Sequence, residues 1–433
     1  MQKLPIGIQT FKGLREDGYL YVDKTEVIYN LVQEAKVYFL SRPRRFGKSL
    51  LCSTLKAYFE GNKELFKGLA IENLETEWTA YPVLYFDFNG VVRTEDGLRS
   101  MLSEHLDAWE ELYCGGISKS ENRDLEIELS ARFRNVVKLA YEHTNKRVVV
   151  IVDEYDKPLL EMLGEEFNAR CRAIYKSFFG NLKKLDEYLK FVFITGVTKF
   201  SKVSIFSDLN QLFDISLDMR YETICGISKD ELLRDFTEHI TAMAEYNSMT
   251  YDECVDMLKK YYDGYHFSKK MTGMFNPFSI LNALSTKDFG LFWFATGTPT
   301  FLVKRLASID NVFDFKELSK GVAVSIGEIT DYRPDNSNII PLLYQSGYLT
   351  IKEYDPQSHI FTLTYPNEEV KYGILNSLAP EVTDRGDTTI SLVKMRNALN
   401  SKNVDDMMLI LKSVYASLPY IKPVYREDMD EED

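Results

Sequence analysis

The sequence predicts an α/β protein built on a parallel sheet, and two observations carry that expectation. Short continuous runs of β-branched and aromatic residues recur in the first half, at Val37–Leu40, Val83–Phe88, Val148–Val152 and Phe191–Ile194, with a weaker run at Leu212–Ile215. Stretches with helical spacing lie between them, such as Leu50–Phe59, Leu98–Leu112, Ala131–His143 and Arg170–Tyr188. Runs that are apolar at every position and alternate with helices belong to parallel strands covered on both faces. This α/β part extends to about Leu217, within an expected first domain of residues 1–225.

Beyond Gly226 the pattern changes. Ser228, with Glu231 three residues later, reads as a helix start, and helical periodicity then runs through Tyr262 and again from Phe278 to Leu284. Asp263-Gly264 and Asn276-Pro277 punctuate it, giving an expected helical subdomain over 226–300. Gly347–Lys352 and His359–Thr364 alternate like strands around Asp355-Pro356, with helix-like stretches at Pro341–Ser346 and Glu368–Leu378 on either side. Helices followed by a two-stranded ribbon suggest a winged-helix-like domain over 301–380. A helical segment and acidic linker are expected over 381–433.

Composition excludes several classes. The 433 residues are 45% hydrophobic and 27% charged, as in ordinary globular proteins. No apolar run approaches the roughly 20 residues of a membrane-spanning helix, and Met1-Gln2-Lys3-Leu4-Pro5 lacks a signal-peptide core. The five cysteines are scattered without a CxxC pair, so reduced thiols in a cytoplasmic protein are expected rather than a disulfide or zinc scaffold. The five histidines have no ligand spacing. Net charge is −13, and the tail from Arg426 to Asp433 sets one arginine against six acids. That balance lends no support to a broad nucleic-acid surface. The tail reads as a solvated linker, and such an end also fits a chain that continues into something longer.

Ser41-Arg42-Pro43-Arg44-Arg45-Phe46-Gly47-Lys48-Ser49-Leu50 follows a strand and opens a helix, the setting of a phosphate-binding loop. Backbone N–H groups and the positive helix end hold phosphate oxygens there. In that reading Arg42, Arg44, Arg45, Phe46, Gly47, Lys48, Ser49 and Leu50 line the nucleotide. Lys48 reaches the β- and γ-phosphates, and Ser49 ligates Mg²⁺. The pattern G-x-x-x-x-G-K-[ST] is broken at its first glycine, where Arg42 stands. Arginine lacks glycine's freedom at positive φ, so the loop must enter differently. Three arginines so close together ask for a nearby anion. The bland alternative is a solvated basic turn.

A second signal weighs against that alternative. The run Val148–Val152 ends in Asp153-Glu154, and acids at the end of a buried strand are expensive without a partner. At the carboxyl edge of a parallel sheet they face the ligand crevice. Asp153 would hold Mg²⁺ through its water shell or through Ser49. Glu154 would polarise the attacking water. Thr195, ending the strand at Phe191–Ile194, would orient that water or sense the γ-phosphate if its strand lies between the other two. A strand-capping threonine is the equal alternative. Lys199 adds a charge near the same edge, and Asp156 continues the acidic cluster without an assigned role. A strand between the loop strand and the Asp153 strand, with a Glu after the metal Asp, resembles the ATPase division with an extra strand inserted beside the loop strand, and that resemblance implies the spatial order 5-1-4-3-2.

Taken together, these segments resemble the bacterial AAA-ATPase-like family. The similarity lies in the Arg42–Ser49 loop, Tyr21-Val22-Asp23-Lys24-Thr25, Asp153-Glu154-Tyr155-Asp156 and Thr195-Gly196-Val197-Thr198-Lys199-Phe200. It continues in Phe206-Ser207-Asp208-Leu209-Asn210 and Tyr262-Asp263-Gly264-Tyr265. The resemblance makes Arg42 a family trait and implies an ATP-binding module of P-loop NTPase type. Members often continue into a PD-(D/E)XK nuclease-like domain. Asp384–Asp433 carries Asp405-Asp406 on a helix-like stretch and no strand bearing D/E-x-K, so nuclease activity is not carried over.

The expected function is Mg²⁺-dependent ATP hydrolysis driving a switch between the α/β core and the C-terminal helical and winged region. The alternatives are a nucleotide-binding scaffold with little hydrolysis, and a DNA- or protein-binding role for the winged region. Arg170, Arg172 and Arg220 are the arginine-finger candidates, and none has a distinguishing spacing. An aromatic near Phe11 or Tyr21 is a candidate to stack on the base.

Overall fold

The computed structural model describes all residues except 91, 93, 115–124, 162–167, 200–210, 296–314, 331–337, 375–397, 399–400, 402 and 418–433. Phe206–Asn210 and the acidic tail therefore lie outside the described residues. Met1–Val370 forms one compact unit and Lys371–Asp433 a second.

The first unit is organised by a five-stranded sheet of β1 (Val37–Ser41), β2 (Val83–Asp87), β3 (Val148–Asp153), β4 (Leu189–Gly196) and β5 (Phe213–Asp214), every pairing parallel. Its order is β2-β3-β4-β1-β5, which from the short edge strand reads 5-1-4-3-2. The interior strand β3 is buried at all six positions, which is why its sequence is an unbroken apolar run. The edge strand β2 alternates between buried and half-exposed side chains and ends in an exposed acid.

Alternation along the strands sorts the sheet's two faces. Phe39, Phe86, Val150, Val152, Val192 and Ile194 enter one large core. That core is shared with Leu102, Phe133 and Phe178 from the helices Glu95–Cys114, Leu125–Thr144 and Asn168–Phe179. The intervening residues, among them Leu40, Tyr85, Ile151, Asp153 and Thr195, take the opposite face. The helix Lys48–Phe59 packs there, against β2, β3 and β4.

The helices Lys229–Asp235, Thr237–Tyr246, Tyr251–Tyr262 and Pro277–Thr286 enclose a second core around Leu232, Phe236, Ile240, Leu258 and Ile280. The Ser228/Glu231 capping box forms as its spacing predicts, and Asn276 caps the helix that Pro277 opens. Two short strands, β6 (Ile227–Ser228) and β7 (Met274–Phe275), form a ribbon.

Further on, helix Phe315–Lys320, β8 (Val322–Ser325), helices Ile326–Thr330 and Ile340–Ser346, β9 (Thr350–Asp355) and β10 (Ile360–Thr364) follow one another. Here the expected two-stranded ribbon is corrected: β8 joins it in a three-stranded antiparallel sheet ordered β8-β10-β9. Four mostly half-exposed residues leave too little alternation for such a strand to be read in sequence. In the second unit, Val404–Ser417 is helical with Asp405 and Asp406 in its first turn. Among the described residues no helix is long and apolar enough to cross a membrane, and Cys52, Cys171, Cys225 and Cys254 are buried.

Candidate active site at the strand tips

The loop after β1 closes into a helix because Gly47 adopts φ 90°, a left-handed conformation that few other residues tolerate. Lys48 begins the helix and is almost fully buried. Its Nζ donates to the carbonyl oxygens of Arg42 at 3.0 Å and Pro43 at 3.1 Å, so the ammonium lies beneath the loop.

Arg42 does not present its charge to an anion. Its guanidinium is buried, donates to the carbonyls of Ser41 (3.0 Å), Ser216 (2.8 Å) and Tyr221 (3.2 Å), and lies 4.2 Å over the Phe267 ring. Arg45 is exposed at φ 69° and stacks on Phe278 at 4.8 Å, while Arg44 is half-buried. Arg42 and Arg45 thus find partners within the chain, where the sequence had suggested a nearby anion. Phe46 is buried edge-on against Tyr265 and Phe267, which ties the loop to the segment after Tyr251–Tyr262.

Two strands away, across β4, Asp153 ends β3 with 1% exposure. Tyr85 Oη donates to its Oδ2 at 3.3 Å, while Oδ1 is buried with no hydrogen-bond partner. Burial pushes this carboxyl up to about 6; the Ser49 hydroxyl and Lys48 pull the other way, and Glu154 and Asp87 reinforce the rise. The lysine–serine pair and the acid therefore share one environment. Glu154 follows at φ 52°, a strained conformation for a non-glycine residue, with its carboxylate partly exposed 3.9 Å from Lys157 Nζ. Thr195, at the tip of the intervening strand, is fully buried and its Oγ1 has no partner.

Asp156 acquires a definite task. Its carboxylate accepts from Val197 N (3.1 Å), Thr198 N (2.5 Å) and Thr198 Oγ1 (2.6 Å), and Tyr155 Oη donates to Thr198 O at 2.7 Å. A Cβ on Gly196 would come within 2.4 Å of Asp156 Oδ1, so only glycine allows this closure. The segments 153–156 and 195–199 are one interlocked assembly. Lys199 is drawn out of the site: its Nζ pairs with Asp214 at 3.0 Å, and its N–H donates to Gln345 Oε1.

Beside the loop lies an apolar cavity of about 100 Å³, walled by Tyr21, Lys24, Phe46, Gly47, Leu50 and Ile227 among others. Tyr21 faces it, and Phe11 stands behind Tyr21 with ring centroids 5.1 Å apart. Lys24 Nζ reaches both Glu231 oxygens at 2.6 Å, linking the Tyr21–Thr25 segment to the helix that Ser228 caps. Among the finger candidates, Arg220 is engaged with Glu34 and Asp218, and Arg170 lies 4.0 Å from Glu95. Tyr85 was missed in sequence because an isolated polar residue carries no spacing signal, and the pairing of Lys24 with Glu231 could not be read from positions 207 residues apart.

A parallel sheet with a Gly-Lys-Ser helix start on one strand and a buried acid across the neighbouring strand is a mixed α/β arrangement consistent with a P-loop-like core. The family model described as "Predicted AAA-ATPase" matches residues 5–206. A protein of Azotobacter chroococcum mcd 1, described as "Uncharacterized protein in vnfD 5'region", is 36% identical over 383 residues, covering 87% of this chain and 70% of that protein. The chain belongs to the AAA-ATPase-like family, whose general property is nucleotide binding.

Proposed function

We propose that the chain binds ATP with Mg²⁺ at the tips of β1, β3 and β4 and hydrolyses it. The observation that carries this reading is the common environment of Lys48, Ser49 and Asp153, with Asp153 Oδ1 buried and unpaired. A buried acceptor without a donor is costly, and a cation relieves that cost. Ser49 and Asp153 would hold Mg²⁺, which when bound neutralises charge on the phosphates. The helix start at Gly47, Lys48 and Ser49 would receive the phosphates, with Arg42, Arg44, Arg45 and Phe46 supplying loop backbone. Leu50 and Tyr21 would wall the base in the apolar cavity. Glu154 would polarise water and Thr195 orient it. The joint between Phe46 and the Tyr265–Phe267 pair supports a nucleotide-driven switch passing to the C-terminal part of the first unit. There the order helix, strand, helix, helix, strand, strand supports a winged-helix reading and a protein or DNA partner.

A second reading, a nucleotide-binding scaffold with little turnover, is favoured by the engagement of Arg220 and Arg170 with acids. Phosphate release by Glu154→Gln beside wild type separates the two. Turnover that falls at least tenfold with ATP affinity retained supports hydrolysis, and equal negligible rates support the scaffold.

A further inference from the structure

Asp87 ends β2 in register with Asp153, as the Asp87↔Asp153 pairing records. Paired residues on adjacent strands point to the same side, about 4.8 Å apart at Cα. The alternation that sends Leu84, Phe86 and Val152 into the large core puts Tyr85, Asp87 and Asp153 on the other face, the one crossed by the helix that begins at Lys48. Thr195 occupies the same face at the tip of β4. The carboxyl edge thus carries a row of Asp87, Asp153 and Thr195, and its two inner members bring buried oxygens without partners. Asp87 is exposed; one of its oxygens accepts Asn89 N–H at 2.8 Å, which leaves the other available. No lysine or arginine among the described residues pairs with Asp87, and no group of three or more His, Cys, Asp or Glu side chains among them could hold a metal ion, so any cation here takes fewer carboxylates.

From this row we infer that Asp87 is a second carboxylate of the divalent-cation site, on the far side of Asp153 from Ser49, and that Tyr85 is a positioning residue that fixes the Asp153 carboxylate for it. The inference rests on the nucleotide reading above and extends it to the neighbouring strand. Mg²⁺ prefers one or two carboxylates and keeps several waters, so an exposed acid beside a buried one suits its partly hydrated shell. Asp87 engages such a water while Asp153 lies nearer the ion. Tyr85, two residues earlier on the same face, anchors Oδ2 and leaves Oδ1 for the metal.

The test uses the full chain, Mn²⁺ as the probe followed by electron paramagnetic resonance, and a non-hydrolysable ATP analogue. Asp87→Asn keeps an oxygen for the Asn89 N–H and removes the charge. It is expected to weaken Mn²⁺ binding in the presence of the analogue about tenfold, with analogue affinity in EDTA unchanged. Tyr85→Phe is expected to weaken Mn²⁺ several-fold, and Asp153→Asn by more than either. Wild type that binds Mn²⁺ and analogue, with Asp87→Asn indistinguishable from it while Asp153→Asn loses the metal, overturns the assignment of Asp87 alone. Wild type that binds neither overturns the nucleotide reading together with it.

Discussion

Lys48 Nζ donates to the Arg42 carbonyl at 3.0 Å, while the Arg42 guanidinium itself caps three carbonyls deeper in the chain. Two cations therefore brace a loop that lacks the usual first glycine, one from below and one from behind. A bound phosphate would compete with the loop's own carbonyls for Lys48, so the ammonium is already close to where it would act.

Arg42→Lys should destabilise the protein by on the order of 3 kcal/mol, read as a lower urea midpoint. A lysine ammonium cannot reproduce the planar fork or the stacking on Phe267, and buried carbonyls lose their donors. An unchanged midpoint would show that the guanidinium contributes little.

Asp156→Asn removes the charge that gathers Val197 N–H, Thr198 N–H and Thr198 Oγ1, and its amide must face one of those donors. A loss of roughly 2–3 kcal/mol is expected, because hydrogen bonds to a charged acceptor are worth about 1.5–3 kcal/mol each. Weakened nucleotide binding should accompany it, since the segment it holds includes the tip of β4. Full stability and affinity in this variant would contradict the clamp.

Much of this was legible in sequence, for definite reasons. β3 was visible because both its faces are buried, and the Ser228 and Asn276 helix starts because capping is local chemistry. The Lys48–Ser49 and Asp153–Glu154 pairs stood out because those residue types follow apolar runs, and the structure places both pairs at strand ends of one sheet edge. The fate of Arg42 was not legible: its carbonyl partners on Ser216 and Tyr221 are about 175 residues away in the chain. The same holds for Lys199, whose partner Asp214 lies on the edge strand. Tyr85 gains its place only through the β2–β3 register, which no local pattern encodes.

Glu369 offers a pH prediction away from the site. It is fully buried and accepts from Ser279 Oγ at 2.7 Å and Trp293 N at 2.8 Å. Burial pushes its carboxyl from 4.5 up to about 7, although those donors oppose the rise. The folded state holds a proton that the unfolded chain has already released, so stability is full below about pH 4.5 and falls as pH rises towards 7. The loss is on the order of 3 kcal/mol at 1.36 kcal/mol per unit. Glu369→Gln should flatten this part of the profile and raise the melting temperature at pH 8 relative to wild type. A melting difference that does not change between pH 4.5 and 8 would contradict the assignment.

The central claim is that Lys48 and Asp153 face one bound nucleotide, and Lys48→Ala tests it most directly. Isothermal titration with ATP and Mg²⁺, run beside phosphate release, should show wild-type binding and a loss of at least tenfold in both affinity and turnover for the variant. Wild-type and Lys48→Ala chains with the same affinity and the same turnover would contradict it.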